Sequence, residues 1–188
     1  MIQILFYFGE IRDKESAEIA IQAGQTGHYV LSTIHTVDAI EVITRLKKMG
    51  ISDYDISTTL ATTVSQRLVR RICPHCAVKR EFTNEEKNII NKYGEKYNTH
   101  FDFTNKFTYD IKGCKECNHT GYYERIAVYE ILEMTDEIKD LIVTGASNLK
   151  IRSLAIEQGY RPLVIDAFQK VIDGITTVEE VNRRLALY

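Results

Sequence analysis

The run Ile2-Gln3-Ile4-Leu5-Phe6-Tyr7-Phe8-Gly9-Glu10-Ile11-Arg12-Asp13 decides how the chain is read. Residues 2 to 8 are rich in Ile and Phe and end at Gly9, the pattern of a short strand buried on both faces. Asp13 stands where a helix N-cap is wanted. Ala17, Ala20, Ile21 and Gly24 then fall on one stripe of a helix predicted over 14–25, with Gly27 as its stop. Tyr29 to Thr33 reads as a second strand. Thr36 or Asp38 opens a further helix that carries Ile40, Ile43, Leu46 and Met49 at three-residue spacing, and Gly50 sits where a left-handed C-terminal residue belongs. Strand, helix, strand, helix is the order of an α/β fold with a parallel sheet.

Outward from this block the sequence predicts a third helix over 54–64 and a short strand from Arg67 to Ile72, leading into Cys73. From Cys73 to Cys117 the character changes. Residues 92–112 are rich in Asn, Lys, Tyr and Thr with little periodicity, which predicts an insert and not a core. Thr83 with Glu86 forms a capping box for one short helix near 84–93. Tyr122 to Glu133 reads as a strand and the remainder as helices. Their starts are marked by Thr135, Ser147 and a Thr177–Glu180 capping box, and their stops by Gly145, Gly159 and Gly174.

Composition bounds the function classes. Of 188 residues 44% are hydrophobic and 27% charged, and the formal net charge is −2, so bulk charge offers no attraction for nucleic acid or an anionic membrane. Arg67, Arg70, Arg71, Lys79 and Arg80 form a local basic cluster, read as a solvated or subunit-facing edge. The opening apolar run meets Glu10, Arg12 and Asp13 well before the ~20 residues of a bilayer span. It also lacks the basic start and cleavage site of a signal peptide. The expectation is a cytoplasmic protein without membrane insertion, whose thiols stay reduced.

The strongest chemical signal is Cys73-Pro74-His75-Cys76, then 37 residues, then Cys114-Lys115-Glu116-Cys117. A two-residue gap wraps each pair into a tight knuckle that aims both sulfurs at one metal. Two knuckles supply the four thiolates of a closed, structural Zn2+ site. Two disulfides, or a redox pair, are the competing readings; without an export signal or a strand–helix context they are disfavoured. His75 and His119 adjoin ligands but are surplus to a complete cysteine set.

Glu10 follows the first strand, at the edge of an open α/β sheet where ligands gather. A carboxylate there can orient a water toward a phosphate or hold magnesium through water, although a glutamate after a strand, taken alone, is more often a loop residue. His28 and His35 flank the second strand. Seven extended residues span about 23 Å, so the two imidazoles do not easily meet at one atom. In a parallel sheet His35 shares the edge with Glu10 and becomes the donor to a terminal phosphate, while His28 lies at the strand start.

The segments Gly9-Glu10-Ile11-Arg12-Asp13-Lys14-Glu15-Ser16-Ala17-Glu18 and Thr26-Gly27-His28-Tyr29-Val30-Leu31-Ser32-Thr33-Ile34-His35-Thr36 closely resemble the Walker B and histidine boxes of type II secretion and type IV pilus assembly ATPases. The likeness continues through Gln66-Arg67-Leu68-Val69-Arg70-Arg71-Ile72-Cys73-Pro74-His75-Cys76 and Gly121-Tyr122. It reaches Gly174-Ile175-Thr176-Thr177-Val178-Glu179-Glu180-Val181, and is weak only over about 80–112. The resemblance implies part of a RecA-like ATPase core over 1–72, a tetracysteine zinc-binding subdomain over 73–121, and a strand plus helical region over 122–188. It implies Glu10 as the catalytic Walker B glutamate and His28 and His35 as nucleotide-binding. It further implies ATP and Mg2+ as ligands of a homo-hexamer acting on an inner-membrane platform protein, at the inner face of the cell membrane. The tetracysteine element is similar to that of assembly and secretion ATPases and not to the retraction branch.

The chain also departs from that family. No Gly-x-x-x-x-Gly-Lys-Ser/Thr phosphate-binding loop occurs in the 188 residues, so the polypeptide is expected to be inactive alone. Ile2-Gln3-Ile4 stands where Pro-Asp is frequent, and Glu124 and Ala127 stand where glycines are common. The alternative function is a non-catalytic zinc-ribbon interaction module, which accounts for the cysteines but not for Glu10 or His35.

Overall fold

A computed structural model describes residues 5–185 of the chain; the expected strand start at 2–4 lies outside them. The elements are β1 (Leu5–Ile11), α1 (Lys14–Gln25), β2 (Tyr29–Ile34), α2 (Glu41–Lys48), α3 (Asp53–Thr59), β3 (Thr62–Ile72), β4 (Ala77–Arg80), α4 (Asn84–Lys96), β5 (Thr108–Ile111), β6 (Tyr122–Glu133), α5 (Asp136–Val143), α6 (Asn148–Glu157), α7 (Leu163–Ile172) and α8 (Val178–Leu185). Strands pair as β1 with β2, β3 with β6, and β4 with β5. Two compact units result: residues up to Val64 with Ile131–Tyr160, and Ser65–Glu130 with Arg161 onward. The chain passes from one to the other within β3 and returns within β6. Among the described residues no helix is long and apolar enough to cross a membrane.

In the first unit, β1 and β2 run parallel. Asp13 caps α1 by accepting from the Ser16 N–H at 2.9 Å, while the Ser16 hydroxyl bonds back across the cap. The amphipathic α2 buries Ile43 and Leu46, and Asp38 accepts from the Glu41 N–H at 2.8 Å. That helix therefore begins at Glu41, three residues after Asp38, the later of the two expected starts. Gly50 closes it at φ +89°, a conformation that costs glycine nothing. The unit's core joins Ile40, Ile43 and Ile56 to Leu132, Ile142 and Ile151, each full burial contributing about 1.5–3 kcal/mol.

The third helix is shorter than its expected span of 54–64. It ends at Thr59, because Leu60 turns extended (φ −74°, ψ 117°) and β-branched Thr62, Thr63 and Val64 favour the strand that follows. β3 accordingly spans 11 residues, starting five earlier than the expected Arg67. β6 matches its expected bounds and buries Val128, Glu130 and Leu132 on alternate positions.

The second unit corrects the expectation of a coreless insert. Phe82, Ile90 and Phe101 are buried in one cluster with Val69, Val128 and Phe168. Phe82 meets Phe103 edge-on at 5.3 Å, and Tyr93 meets Phe168 at 5.4 Å. β4 and β5 form an antiparallel pair, with Ala77 opposite Ile111 and Arg80 opposite Thr108. Strands of four residues are too short to carry a period, and these aromatics act by cross-element packing that spacing does not reveal. The expected Thr83–Glu86 capping box is present, and α4 extends three residues past its expected end. At α7 the N-terminal cap comes from a distance: buried Glu130 accepts the Leu163 N–H at 3.0 Å.

The basic cluster divides. Arg80 turns inward onto Glu86 at 2.8 Å and Arg70 onto Glu180 at 2.7 Å, so neither is part of a solvated edge. Burial pushes both carboxyls up, but the arginine hydrogen bonds outweigh it and hold them below the usual range. A folded-state pKa below the unfolded value of about 4.3 gives stability that is present above that pH and lost as pH falls through the folded value. The second unit is therefore expected to unfold at lower denaturant concentration at pH 3 than at pH 7, with Glu86→Gln flattening that dependence in urea titrations.

Glu124 sits within β6 at φ +63°, where a β-carbon costs about 1–2 kcal/mol. Its only compensation among the described contacts is an exposed pair with Arg71 at 3.3 Å, worth at most ~1 kcal/mol. Glu124→Gly is expected to raise stability by about 0.5–1 kcal/mol, read from the midpoint of denaturant unfolding.

Candidate functional site

Two constellations stand out, one in each unit. The first lies at the carboxyl ends of β1 and β2. Tyr7 pairs with Leu31, but Glu10 pairs with Thr33, so β1 carries one extra residue between these rungs. The bulge is held by the Gly9 carbonyl, which accepts from the Ser32 and Thr33 hydroxyls at 3.3 and 3.2 Å. Paired residues of a parallel ladder share a face, so the bulge moves Glu10 onto the face of Leu5 and Tyr7. Ile11 and Ile34 take the other face and pack against the core.

On that face, His35 follows the last residue of β2 and places Nε2 3.0 Å from Oε1 of Glu10. Arg12, two residues along from Glu10, donates from Nε and Nη2 to Oε2 at 2.8 and 2.6 Å. Each oxygen of Glu10 thus has its own partner. The Arg12 hydrogen bond, with smaller help from the charges of Arg12 and His35 and against a modest desolvation, holds the Glu10 carboxyl below the usual carboxylate range. The result is an oriented, ionised carboxylate beside an imidazole that is 91% exposed. Such a pair can accept a proton from a bound water, or meet a phosphate or a hydrated cation.

The structure brings Glu10 and His35 together and leaves His28 elsewhere. His28 immediately precedes β2, a six-residue strand of roughly 20 Å. Its Nδ1 lies 3.0 Å from the Thr26 hydroxyl and 3.2 Å from the Ala23 carbonyl, at the end of α1. Arg12 is the neighbour that sequence reasoning missed; alternation along β1 was the available signal. The loop after His35 is tied down as well, since Arg152 on α6 donates to Asp38 at 2.6 Å.

The second constellation is the cysteine cluster. Cys73 directly follows β3 and the turn through Cys76 leads into β4, while Cys114 precedes and Cys117 closes a single 3-10 turn. The ligand atoms of all four lie within 4.8 Å of one another. Cys73 and Cys114 are 3.9 Å apart through their sulfurs, Cys76 and Cys117 3.8 Å, and Cys114 and Cys117 3.7 Å. None is in a disulfide. A tetrahedron with metal–sulfur bonds of 2.3 Å has edges of roughly 3.8 Å, so the donor set fits a thiolate-bound ion.

The backbone builds this cluster locally. Asn118 and His119 both adopt positive φ (50° and 60°), folding the chain so that the His119 N–H reaches the Cys114 carbonyl at 2.8 Å. Backbone N–H groups of Cys114 and Gly121 donate to the Cys117 sulfur, each at 3.2 Å. Burial pushes the Cys117 thiol up, yet these bonds prevail and lower it to about 6. Burial and the neighbouring sulfurs push Cys76 to about 12. A bound cation would draw all four to thiolates. Gly121 admits no side chain here, for a β-carbon would fall 1.4 Å from Cγ2 of Ile111.

Comparison with known proteins gives this geometry a family. The sequence profile of "Type II/IV secretion system protein" matches residues 5–183. The type IV pilus assembly ATPase PilB of Thermus thermophilus is 41% identical over 176 residues, covering 94% of this chain and 19% of that protein. The type II secretion system ATPase E of Vibrio cholerae is 38% identical over 178 residues, covering 93% of this chain and 33% of its own length. Among solved structures, the ATPase DotB of Yersinia pseudotuberculosis has the same fold, with a TM-score of 0.61 and 22% identity over 95% of this chain and 36% of that one. This chain belongs to the type II/IV secretion system protein family. It spans a third or less of the length of these two sequence relatives.

Metal analysis of the purified chain is expected to find about one thiolate-bound divalent ion per chain, and Cys114→Ser is expected to lose it. A wild-type preparation made without chelator that carries no metal overturns this assignment.

Proposed function

We propose that these residues form the Glu10–His35 edge and the C-terminal region of a hexameric ATPase that drives type IV pilus assembly or type II secretion. The carrying observation is the 3.0 Å approach of Glu10 to His35 from the ends of two parallel strands. In this reading Glu10, ionised and held by Arg12, orients a water in line with the terminal phosphate of ATP and accepts its proton. His35 leaves the carboxylate to donate to the phosphate oxygens, where negative charge is concentrated. Mg2+, when bound with the nucleotide, neutralises phosphate charge, and Glu10 is within the class of groups that hold it through water. The four cysteines hold zinc, which is structural because a complete thiolate set leaves no open position. Such an enzyme works in the cytoplasm at the inner face of the cell membrane, as a homo-hexamer on a membrane platform protein.

The pilus assembly ATPase and the secretion ATPase named above, each similar to more than nine-tenths of this chain, support the pilus and secretion assignment. A metal ribbon without motor function would need neither the bulge that redirects Glu10 nor the imidazole beside it.

The 188 residues contain no phosphate-binding loop, and the triphosphate loses most of its contacts without one. The isolated polypeptide is therefore expected to release no phosphate from ATP above buffer. In a form that carries such a loop, Glu10→Gln is expected to lower kcat by roughly 10²–10⁴-fold while nucleotide binding persists. An unchanged kcat in that variant would end the reading.

A further inference from the structure

The stretch Gly174-Ile175-Thr176-Thr177-Val178-Glu179-Glu180 is distant in sequence from the cysteines, and its acidic end is buried. Glu180 is 1% exposed. Sequence reading pairs its carboxylate with Thr177 in a capping box; in the structure its oxygens are taken by arginines. Oε1 accepts the backbone N–H of Arg70 at 3.0 Å and Nη2 of Arg183 at 2.8 Å. Oε2 accepts Nε and Nη2 of Arg70 at 2.9 and 2.7 Å and Nε of Arg183 at 2.9 Å. A carboxylate so enclosed is tolerated because every face of it is hydrogen-bonded, and this places Arg70 with little freedom.

Arg70 lies three residues before Cys73, and the backbone between them is fastened to the same stretch. The Thr176 hydroxyl donates to the Arg70 carbonyl at 2.8 Å, and the Ile72 N–H donates to the Ile175 carbonyl at 2.9 Å. The Arg70 guanidinium also covers the ring of Tyr122 at 3.9 Å, while the Tyr122 and Thr177 hydroxyls are 2.9 Å apart. Tyr122 adjoins Gly121, whose carbonyl accepts the Cys73 N–H at 3.0 Å and whose own N–H donates to the Cys117 sulfur at 3.2 Å. Two chain segments, 70–73 and 121–122, thus converge on one carboxylate, and each is within a bond or two of a sulfur ligand.

We infer that Glu180 is a positioning residue for the tetracysteine site, holding the first knuckle against the Gly121 turn through Arg70, Tyr122 and Thr177. The inference rests on the reading of the four cysteines as a metal site. Groups behind the ligands set the ligand spacing, and their loss weakens metal binding typically 10–100-fold. By linkage, metal occupancy and the seating of the 174–180 stretch and α8 on β3 favour one another to the same degree.

The test uses the chain itself, with Zn2+ affinity measured by chelator competition and Co2+ as a spectroscopic probe of the four-sulfur geometry. Glu180→Gln, which keeps the shape and removes the charge, is expected to weaken Zn2+ binding roughly tenfold or more and to broaden the Co2+ absorption bands. Arg70→Lys, which keeps the charge and loses the fork, gives the same direction should the first variant fold poorly. Asp166→Asn is the control. Asp166 accepts the Tyr129 N–H at 2.8 Å and pairs with Lys170 at 2.7 Å in the same unit, and among the described contacts it makes no bond to residues 70–73 or 121–122, so its loss is expected to lower the unfolding midpoint without changing metal affinity. Wild-type affinity in both Glu180→Gln and Arg70→Lys, or equal weakening in Asp166→Asn, overturns the inference while leaving the metal site intact. Wild-type protein that takes up neither Zn2+ nor Co2+ overturns the metal reading and this inference together.

Discussion

The parallel ladder of β1 and β2, with one surplus residue before Glu10, is the constraint on which the first site depends. One side of this ladder places Ile11 and Ile34 against the core of its unit, and a slip of one residue would expose them. Burial therefore fixes the register, and the register fixes the direction of Glu10. Arg12 and His35 meet the carboxylate because both emerge on the face to which the bulge has turned it. The chemistry of the edge is a consequence of apolar packing on the opposite side.

The cysteine cluster is built by different means. Its knuckles are set by local backbone geometry, with positive φ at Asn118, His119 and Gly121 and N–H groups aimed at the Cys117 sulfur. What holds the two knuckles to each other is not local. β4 pairs with β5, Cys73 bonds across to Gly121, and aromatic residues of the intervening segment enter the same core as Val69 and Phe168. The segment between the knuckles is thus ordered partly by apolar burial, and a metal need not supply all of its stability. Hydrogen bonds to arginine hold the buried Glu86 and Glu180 carboxyls below the usual range, and those of Glu180 anchor the strand that leads to Cys73.

A ribbon that only binds metal accounts for one of these two constructions. The proposed ATPase edge accounts for the other, and relatives of this chain are named as pilus assembly and secretion ATPases. The two sites stand in separate units of one chain, each with its own core.

Much of this was legible in order along the chain. Asp13, Thr83, Thr135 and Ser147 marked helix starts because capping is a contact between residues three apart, and Gly50, Gly145, Gly159 and Gly174 marked stops because positive φ is a property of one residue. The C-x-x-C pairs announced four sulfurs for the same reason. The core positions of Phe82 and Phe101 and the inward turn of Arg70 were not legible, since each depends on partners far away in sequence. The early end of α3 and the turn of Arg80 onto Glu86 rest instead on nearby residues, whose signals were weaker than the helical spacing and the basic cluster. Sequence by itself determined most of the helices, the caps at Asp13, Thr83, Thr135 and Ser147, and the two C-x-x-C pairs, because each of these signals lies within a few neighbouring residues. Only the tertiary structure decided which oxygen of Glu10 meets Arg12 and which faces His35, and that Glu180 closes on Arg70 from 110 residues away, because burial and register are properties of the packed chain.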